Sequence, residues 1–207
     1  MNDAAGFQGV PPTTLADVVG RGQVMDAGIR PLWGPGARVV GVAFTVRCPP
    51  GDNLMMHAAI YRAEPGMVIV AEAGDTEYAL AGGNVCAVAQ RRGVTGFVVD
   101  GVIRDVAEVR DSGFPVFARG VMPVPGVKNA VAPLNGPVSC GGVVVHPGDI
   151  VVADEEGAVV VPHARREQVL RDALAKQAAE EQESLDEWER AHHAKVERLL
   201  AERGFTG

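Results

Sequence analysis

The strongest constraint on the fold is a pair of short, unbroken apolar segments at residues 67–71 (MVIVA) and 96–99 (GFVV). Each has the length and continuous hydrophobic character of a strand that is buried on both faces. Between them lie a glycine-rich loop at 73–84 and a segment that predicts a helix over 85–92. The whole stretch has about the length of a βαβ unit, roughly 30 residues, so the two strands should be parallel neighbours in one sheet.

Proline, glycine and hydrophobic periodicity place the other elements around this unit. Residues 1–12 are expected to form a loose arm that ends at Pro11-Pro12. Helices are predicted over about 14–19 and 53–62 and from near residue 104, and strands over 37–46 and 115–118. Residues 138–161 are predicted to form a meander of three short strands, with turns at 146–149 and 154–157. This succession of strands and helices indicates an α/β fold.

The composition changes at about residue 164, where glycine and proline disappear until Gly204 and Ala, Glu, Gln, Arg and Leu dominate. The chain of 207 residues therefore divides into a globular domain over 1–163 and a C-terminal helical extension over 164–207, built from one long helix or two. The extension carries a thin apolar stripe: Leu170, Leu174, Leu185, Trp188 and Leu199. Such a helix is expected to lie across a neighbouring subunit or to project from the globule.

Charge and composition exclude several classes of protein. The formal net charge is -7 and no long basic stripe exists, which argues against nucleic acid as a partner. The N-terminus lacks a signal pattern and no apolar run reaches the ~20 residues of a transmembrane helix, so a cytoplasmic protein without a membrane partner is expected. The three cysteines are Cys48, Cys86 and Cys140, and no two of them form a CxxC motif. This spacing favours buried thiols over a disulfide framework or a zinc site.

Candidate site residues follow both apolar strands. Gly74-Asp75 and the loop Gly82-Gly83-Asn84 come after the first strand, and Asp100, Arg104 and Asp105 come after the second. Ligands of parallel α/β units bind beyond the carboxyl ends of the strands, so these residues are expected to share one pocket. The glycines would let backbone N–H groups at a helix start bind a carboxylate or a phosphate. A tight turn with Asn84 as a helix N-cap would fit the same residues.

Arg104 and Asp105 offer complementary chemistry. The planar fork of arginine matches a carboxylate through two hydrogen bonds. The carboxylate of Asp105 is the hard oxygen ligand that Mg²⁺ prefers, and Mg²⁺ commonly takes one or two carboxylates and keeps several waters. The pair could therefore hold one anionic substrate from two sides, whereas a surface salt bridge or a helix cap at Asp105 would need no ligand.

Other catalytic arrangements find less support. His57 could act as a base or could be a helical, partly packed histidine. Lys128 lies in a Pro/Gly-rich loop and the other lysines, Lys176 and Lys195, lie in the extension, so none follows a core strand, where a Schiff-base lysine would be expected. A Gly-x-Ser-x-Gly motif is absent, which disfavours acyl transfer. Carbon–carbon bond chemistry would therefore need a metal as the electron sink.

The stretch from Gly74 to Asp105 resembles the core of the 4-hydroxy-4-methyl-2-oxoglutarate / 4-carboxy-4-hydroxy-2-oxoadipate aldolases, which share a fold with the RraA-like regulators of ribonuclease E. The resemblance rests on Gly74-Asp75, Gly82-Gly83-Asn84, Gly93-Val94, Gly96 and the run Asp100-Gly101-Val102-Ile103-Arg104-Asp105. Further similar pieces are Met25 to Pro31, Cys48 to Asn53, Phe114 to Phe117, Pro137-Val138 and Pro147 to Asp149, so that the likeness runs from about residue 13 to 162.

This resemblance implies an α-β-β-α sandwich of the swivelling β/β/α (RraA-like) type, followed here by the long C-terminal helical extension. It also implies a homotrimer, or a homohexamer of two trimers. The implied activity is that of a class II pyruvate aldolase with Mg²⁺ or Mn²⁺, which releases pyruvate from a small 2-oxo acid by retro-aldol cleavage and also decarboxylates oxaloacetate.

The resemblance assigns roles residue by residue. Asp105 matches the metal ligand and Arg104 the substrate-binding arginine, and both are the expected catalytic residues. The expected substrate-binding loop, whose backbone amides hold the pyruvyl carboxylate, comprises Gly82, Gly83, Asn84, Val85 and Cys86. Some relatives carry an acidic residue near positions 83 and 84, and this chain has none there. A glutamate from the C-terminal region of a neighbouring subunit is also implied, for which Glu180, Glu181 and Glu183 are the candidates.

A second hypothesis is a non-catalytic regulator that binds ribonuclease E, as RraA-type proteins do. Those proteins are shorter and end near the predicted meander. The additional helical residues and the Arg104-Asp105 pair favour the aldolase.

Overall fold

The fold is that of a computed structural model that describes residues 4–34 and 36–205. Residues 1–3, 35, 206 and 207 lie outside the described residues, and with them the first part of the expected N-terminal arm and the end of the C-terminal extension. In the described part of the chain, no helix is long and apolar enough to cross a membrane.

The described residues form strands and helices in mixed order. The strands are β1 (Arg30–Pro31), β2 (Val39–Cys48), β3 (Met67–Ala73), β4 (Gly96–Ile103), β5 (Val116–Val121), β6 (Val138–Cys140), β7 (Val143–Val145), β8 (Ile150–Asp154) and β9 (Gly157–Val161). The α-helices are α1 (Pro12–Val19), α2 (Leu54–Ala59), α3 (Gly83–Arg91), α4 (Val106–Asp111), α5 (Arg166–Gln182) and α6 (Leu185–Glu202).

The main sheet of the described residues has the strand order β1-β5-β4-β3-β2-β8-β9. Strands β2 to β5 are parallel to one another, whereas β1, β8 and β9 pair antiparallel with their neighbours. In the register of β3 and β4, Val70 lies opposite Val98 and Glu72 opposite Asp100. The predicted βαβ unit is therefore confirmed. The end strands β1 and β9 contact each other, so the sheet is nearly closed.

Three hydrophobic clusters among the described residues define the layers. Helices α2, α3 and α4 cover the parallel strands on one side, through side chains such as Phe97 and Phe114. The interior of the curved sheet is filled from β2 to β9, with Phe117 fully buried. Helices α1 and α5 cover β8 and β9, where Leu15 and Val169 are buried. The order helix, sheet, sheet, helix confirms the expected α-β-β-α sandwich.

Residues 138–161 differ from the predicted three-stranded meander. They form four strands in the structure, and these belong to two sheets: β6 and β7 pair only with each other, whereas β8 and β9 extend the main sheet. The break that the sequence analysis missed lies at Gly141 and Gly142, whose φ values are 57° and 76°. Glycine adopts such angles at no steric cost, so two residues suffice for this turn.

The N-terminal residues are more ordered than expected. A short 3-10 helix covers Ala5–Phe7, and the side chains of Phe7 and Val10 are buried against β8 and β9. The guanidinium of Arg38 also donates hydrogen bonds to the carbonyl oxygens of Phe7, at 3.5 Å, and Val10, at 2.7 Å. The prediction of a loose arm is wrong for residues 4–10, because a few apolar side chains without periodicity can still be buried.

The C-terminal extension consists of two helices, α5 and α6. Val169 and Ala173 of α5 are buried against the core, whereas α6 buries none of its described side chains within this chain. Ser184 and Glu187 form a capping box between the helices, in which the Ser184 hydroxyl accepts a hydrogen bond from the Glu187 amide at 3.3 Å. This cap stabilises the start of α6 without any tertiary contact.

Candidate active site

A pocket of about 180 Å³ lies where the loop before α3 meets the loop after β4. Its walls come from four parts of the chain, which follow the parallel strands β2, β3, β4 and β5 at one edge of the sheet. The lining residues are Asn53, His57, Ala79, Ala81, Gly82, Asn84, Val85, Arg104, Asp105, Pro125 and Lys128. Gly82 and Asn84 of the glycine-rich loop therefore lie beside the Arg104-Asp105 pair.

Asp105 is held in an unusual backbone conformation at the N-cap of α4. Its φ and ψ are 57° and 37°, in the left-handed region that few residues other than glycine adopt. Aspartate tolerates this region better than most side chains. Its carboxylate does not cap its own helix; instead Oδ2 accepts a hydrogen bond from the Gly83 amide at 3.1 Å. The sharp turn thus aims the carboxylate at the start of α3.

Gly82 has no room for a side chain. A Cβ atom at this position would collide with the Asp105 carboxylate and would lie 3.0 Å from Cγ of Arg104. A side chain at this position would have to displace the Arg104-Asp105 pair, because the pair packs directly on the backbone of the loop. This close approach places the two charged side chains within reach of any ligand that binds the loop amides.

Arg104 is anchored through its backbone and half-exposed through its side chain. Its amide donates to the carbonyl oxygen of Ala81 at 2.9 Å, which fixes the end of β4 against the loop. Its Nε lies 3.5 Å from Oδ2 of Asp105, and 41% of its side chain is exposed. An ion pair this exposed stabilises the fold by little, at most about 1 kcal/mol, so the guanidinium remains free to exchange this contact for one with an anion.

The first turn of α3 offers backbone donors to the pocket. The first N–H groups of a helix have no carbonyl one turn earlier to bind, and Asn84 and Val85 both line the pocket. The amide of Cys86 already donates to the carbonyl oxygen of Gly82 at 3.0 Å, and its side chain is fully buried. Among the first-turn residues Gly83 to Cys86, the amides that remain to bind a ligand are therefore those of Asn84 and Val85.

An acidic side chain does reach position 83, but from α4. A Cβ atom on Gly83 would collide with Oε2 of Glu108, one turn after Asp105. The carboxylate of Glu108 thus occupies the space that a side chain at position 83 would fill. The linear sequence places no acid there, and the replacement becomes visible only when α3 and α4 are packed together.

The sequence offered His57 as a possible base and placed Lys128 in a loop, but it did not predict that residues 49–57 and 122–130 meet at this site. A backbone hydrogen bond from Val127 to Gly51, at 2.8 Å, joins the two loops. The buried carboxylate of Asp52 accepts from the amides of Asn129, at 2.6 Å, and Ala130, at 2.9 Å. These bonds bring Lys128 to the pocket although it follows no predicted core strand. The one signal in the sequence was the similarity of the segment from Cys48 to Asn53 to the aldolases.

Asp52 is ionised because of these backbone donors. Burial opposes its charge, but the amides of Asn129, Leu54 and Ala130, with a smaller contribution from Lys128, outweigh that effect and lower the pKa of Asp52. Its role is to fix the loop that carries Lys128, rather than to contact a ligand itself.

His57 lies in α2 and is half-buried, which agrees with the expected alternative of a helical, partly packed histidine. Its side chain also lines the pocket. Burial lowers its pKa, and the positive charges of Lys128 and Arg104 lower it further. His57 is therefore neutral at pH 7. Among the described lining residues, Arg104 and Lys128 are the positive charges and Asp105 is the negative one, so the pocket favours an anion.

Asp75 and Asp100 do not line this pocket, contrary to the expectation from strand ends. Asp75 accepts hydrogen bonds from the amides of Gly51 and Tyr78, at 2.5 and 3.0 Å, and thereby shapes its own loop. The carboxylate of Asp100 points to the other face of the sheet, where it binds Arg119 and the amide of Gly141. Successive side chains of a strand point to opposite faces of the sheet. The prediction considered how close Asp100 lies to the strand end, but not which face its side chain occupies.

The candidate glutamates of the extension lie away from the pocket within one chain. Glu180 and Glu181 lie at the exposed end of α5, and Glu183 follows as its C-cap residue. Helix α5 packs on the side of β8 and β9. Glu180 instead pairs with Lys176 at 2.7 Å. A contribution from a neighbouring subunit therefore remains a proposal.

The cysteines have the burial expected from their spacing. Cys48, Cys86 and Cys140 are all free and buried. Burial raises the pKa of Cys48 and of Cys86 to about 12, so neither thiol forms a nucleophilic thiolate at neutral pH. Cysteine chemistry does not contribute to this site.

Comparison with known proteins supplies the family context. The family profile described as "RraA-like: Aldolase/RraA" matches residues 10–160. A protein of Halalkalibacterium halodurans named "Putative 4-hydroxy-4-methyl-2-oxoglutarate aldolase" is 41% identical over 176 residues, which cover 84% of this chain and 83% of the relative.

Solved structures give the same architecture. Streptomyces coelicolor RraAS2, described as an unusual member of the RNase ES inhibitor RraA protein family, is 29% identical with a TM-score of 0.75, covering 86% of this chain and 94% of that one. The RNA-processing inhibitor RraA from Thermus thermophilis is 29% identical with a TM-score of 0.67, covering 73% and 92%.

Proposed function

Since this chain belongs to the RraA-like (Aldolase/RraA) family, we propose that it is a divalent-metal-dependent lyase acting on small 2-oxo acids. The proposed reaction is retro-aldol cleavage of 4-hydroxy-4-methyl-2-oxoglutarate or 4-carboxy-4-hydroxy-2-oxoadipate with release of pyruvate. Oxaloacetate decarboxylation passes through the same pyruvate enolate and is proposed as a second activity. The observation that carries the proposal is the convergence of Arg104, Asp105 and the first turn of α3 on one pocket.

The possible metal ligands of the pocket fit a cation that keeps most of its water ligands, rather than one that is enclosed by protein ligands. Within residues 4–34 and 36–205, no group of three or more His, Cys, Asp or Glu side chains could hold a metal ion. A single carboxylate with several waters is a common arrangement for Mg²⁺, and Mn²⁺ accepts the same oxygen ligands. We propose Asp105 as the protein ligand, because its side chain is 38% exposed at the pocket. When bound, the cation would polarise the 2-oxo group and favour charge development on its oxygen.

The chain's own groups would bind and orient the substrate. The amides of Asn84 and Val85, reinforced by the positive end of the α3 dipole, would hold the carboxylate next to the 2-oxo group. Arg104 would stabilise negative charge as it develops on the 2-oxo oxygen, the type of electrostatic effect that usually contributes most to catalysis. Lys128 adds positive charge for a second carboxylate, which both proposed substrates carry.

The test is pyruvate release, coupled to lactate dehydrogenase, from 4-hydroxy-4-methyl-2-oxoglutarate and from oxaloacetate. It is run with Mg²⁺, with Mn²⁺ and with EDTA, for the wild type and for Arg104→Lys. The proposal expects turnover that EDTA abolishes and that Arg104→Lys lowers, because lysine cannot form the two-pronged contact. Arg110→Lys, an exposed arginine on α4, is the matched control. Turnover that survives EDTA would reject metal dependence.

The regulator is the second candidate. The Thermus neighbour is named as an RNA-processing inhibitor, and the Streptomyces neighbour as an unusual member of the RNase ES inhibitor RraA family. Pull-down against ribonuclease E separates the two hypotheses. Binding without pyruvate release under any metal would place the regulator first. Size-exclusion chromatography with light scattering would test the proposed homotrimer or homohexamer.

A further inference from the structure

Asn53 stands at the start of α2 but does not cap it. Asparagine at a helix N-cap usually accepts a hydrogen bond from an amide in the first turn. Here the side chain of Asn53 makes no such bond, and Asp52 takes its place, since Oδ1 of Asp52 accepts from the Leu54 amide at 2.8 Å. The neighbouring aspartate thus releases the Asn53 side chain from the role that its position predicts.

The orientation of the Asn53 amide is fixed by its own contacts. Nδ2 donates to the carbonyl oxygen of Ala79 at 3.2 Å, which assigns the other side-chain atom as the oxygen. The backbone amide of Asn53 donates to the carbonyl oxygen of Val127 at 2.8 Å. The residue is 3% exposed, so the amide plane has little freedom to rotate.

Oδ1 of Asn53 is buried and has no hydrogen-bond partner within the residues that the structure describes. An acceptor buried without a donor destabilises a protein, because it loses its hydrogen bonds to water and gains none in return. Asn53 also lines the pocket that contains Arg104 and Asp105. An unpartnered acceptor beside a proposed substrate site indicates that the missing donor belongs to a ligand. Since Oδ1 is shielded from solvent in this structure, the pocket wall has to shift slightly when such a ligand binds.

We propose that Asn53 is a specificity-determining residue whose Oδ1 accepts a hydrogen bond from the C4 hydroxyl of the substrate. The inference rests on the proposed lyase function and assigns a residue to the C4 hydroxyl that both proposed substrates carry. Oxaloacetate in its keto form presents only acceptors beyond C3, so it has no hydrogen to offer to Oδ1. A site that is built to bind a hydroxyl discriminates against an analogue without it, because its polar group is then left unpaired.

Asn53 orients the hydroxyl and does not take its proton. A neutral amide oxygen is a hydrogen-bond acceptor but too weak a base for general base catalysis near neutral pH. Its contribution is to fix the direction of the O–H bond while another group removes the proton. The expected signature is therefore a change in the preference between substrates.

The experiment compares kcat/KM for 4-hydroxy-4-methyl-2-oxoglutarate and for oxaloacetate in the wild type, Asn53→Leu and Asn53→Asp. Both variants lose the hydrogen bond from Nδ2 to the carbonyl oxygen of Ala79. Leucine has a similar shape without an acceptor, whereas aspartate keeps an acceptor oxygen, so the acceptor distinguishes the two variants. Asn53→Leu should lower the ratio of the two kcat/KM values at least tenfold, which corresponds to about 1.4 kcal/mol. Asn53→Asp should keep the ratio within about threefold, since the hydrogen bond to the hydroxyl survives.

Two control measurements accompany the comparison of kcat/KM ratios. Asn129→Leu makes the same substitution at an exposed side chain of the adjoining loop and should leave the ratio as in the wild type. Titration with Mn²⁺ tests whether Oδ1 is a metal ligand instead: Asn53→Leu should bind Mn²⁺ as the wild type does, and a tenfold or larger loss of affinity would overturn the proposal. If the leucine variant fails to fold, Asn53→Ala takes its place.

The outcomes separate the inference from the function on which it rests. A wild type active on both acids, with an unchanged ratio in Asn53→Leu, would overturn the role of Asn53 and leave the lyase in place. An oxygen that binds only an ordered water would give that result. A wild type inactive on both acids under every metal would overturn the lyase assignment, and the role of Asn53 with it.

Discussion

The backbone nitrogen of Gly83 lies 3.1 Å from Oδ2 of Asp105 and donates a hydrogen bond to it. This contact joins the first turn of α3 to the N-cap of α4, which otherwise belong to successive βα units. The amides that would bind a substrate carboxylate and the carboxylate that would bind a metal are thus fixed relative to each other. Such fixed placement of the reacting partners is what an active site needs for efficient catalysis.

Asp105→Asn is expected to abolish metal binding without unfolding the site. Asparagine also tolerates a positive φ, and its Oδ1 can still accept the hydrogen bond from Gly83, so only the charge is lost. The loss should cost several kcal/mol of transition-state stabilisation, on the order of a thousandfold in kcat. Calorimetric titration with Mn²⁺ and the coupled pyruvate assay measure the two effects.

Asp111→Asn, an exposed position on the same helix, is the matched control and should behave as the wild type in both measurements. Alanine is a poorer replacement at 105, because it would add roughly 1–2 kcal/mol of backbone strain at this φ. Asp105→Asn with wild-type affinity for Mn²⁺ would show that the metal ligand lies elsewhere.

Gly83 and Glu108 are expected to be energetically coupled. A methyl group at position 83 would collide with the Glu108 carboxylate, which must then swing away. Gly83→Ala should therefore destabilise the wild type more than it destabilises a Glu108→Ala background, with a coupling energy of about 0.5 kcal/mol or more. Urea unfolding of the four proteins in this double-mutant cycle gives the value. Additive effects within about 0.3 kcal/mol would mean that the two positions do not compete for space.

Asp52→Asn should destabilise the folded protein and should weaken the dependence of its free energy of unfolding on pH in the acidic range. The folded pKa of Asp52 is lowered, so its charge contributes stability that is present above the unfolded pKa of about 3.9. That contribution is lost as the pH falls below about 3.9 through the folded pKa. The free energy of unfolding at pH 7 should drop by about 1–3 kcal/mol, and the difference between variant and wild type should shrink as the pH falls below about 3.9.

Urea titrations at several pH values between about 3 and 7 measure this difference. Glu189→Gln, an exposed glutamate of α6 beyond its first turn, is the control for removal of one negative charge and should leave the free energy of unfolding at pH 7 close to that of the wild type. A difference at Asp52 that stays constant with pH would contradict the assignment of a lowered pKa.

The fold could be predicted from local patterns and a resemblance, whereas much of the site could not. The parallel pair β3 and β4 followed from two apolar runs and their spacing, because short apolar runs bounded by turn residues are typical of strands that are buried on both faces. Arg104 and Asp105 follow β4 directly, so their place at its end was also accessible. Asn53 and Lys128 belong to loops whose meeting depends on the buried carboxylate of Asp52.

Tertiary packing also explains why the prediction for Asp100 failed and why Glu108 was overlooked. Asp100 was expected at the pocket because it follows the apolar run of β4, yet the strand continues to Ile103 and turns this side chain to the opposite face. Glu108 was not considered, because a contact between residues 83 and 108 depends on how α3 packs on α4. Sequence patterns predict which residues lie near a strand end, but side-chain direction and loop-to-loop contacts are set by tertiary packing.

The pKa of His57 is expected to report on the charge of the pocket. Burial lowers it first, and Lys128 and Arg104 lower it further, so removal of one of these charges should raise it toward the ordinary histidine value of about 6.5. We expect Lys128→Met to raise the NMR titration midpoint of the His57 ring, while burial and Arg104 keep it below that value. Lys176→Met removes a positive charge on α5 that pairs with Asp17 and should leave the midpoint where it was.

The lowered pKa of His57 also predicts how the stability of the folded protein changes with pH. The unfolded chain binds the proton first as the pH falls below about 6.5, so His57 destabilises the folded protein progressively between that value and its folded pKa. A bound dianion such as oxalate should oppose this by offsetting the charges of Lys128 and Arg104, and should raise the His57 midpoint. If oxalate binds and the midpoint stays fixed, the anion lies outside this pocket, and the placement of the substrate beside Arg104 would have to be abandoned.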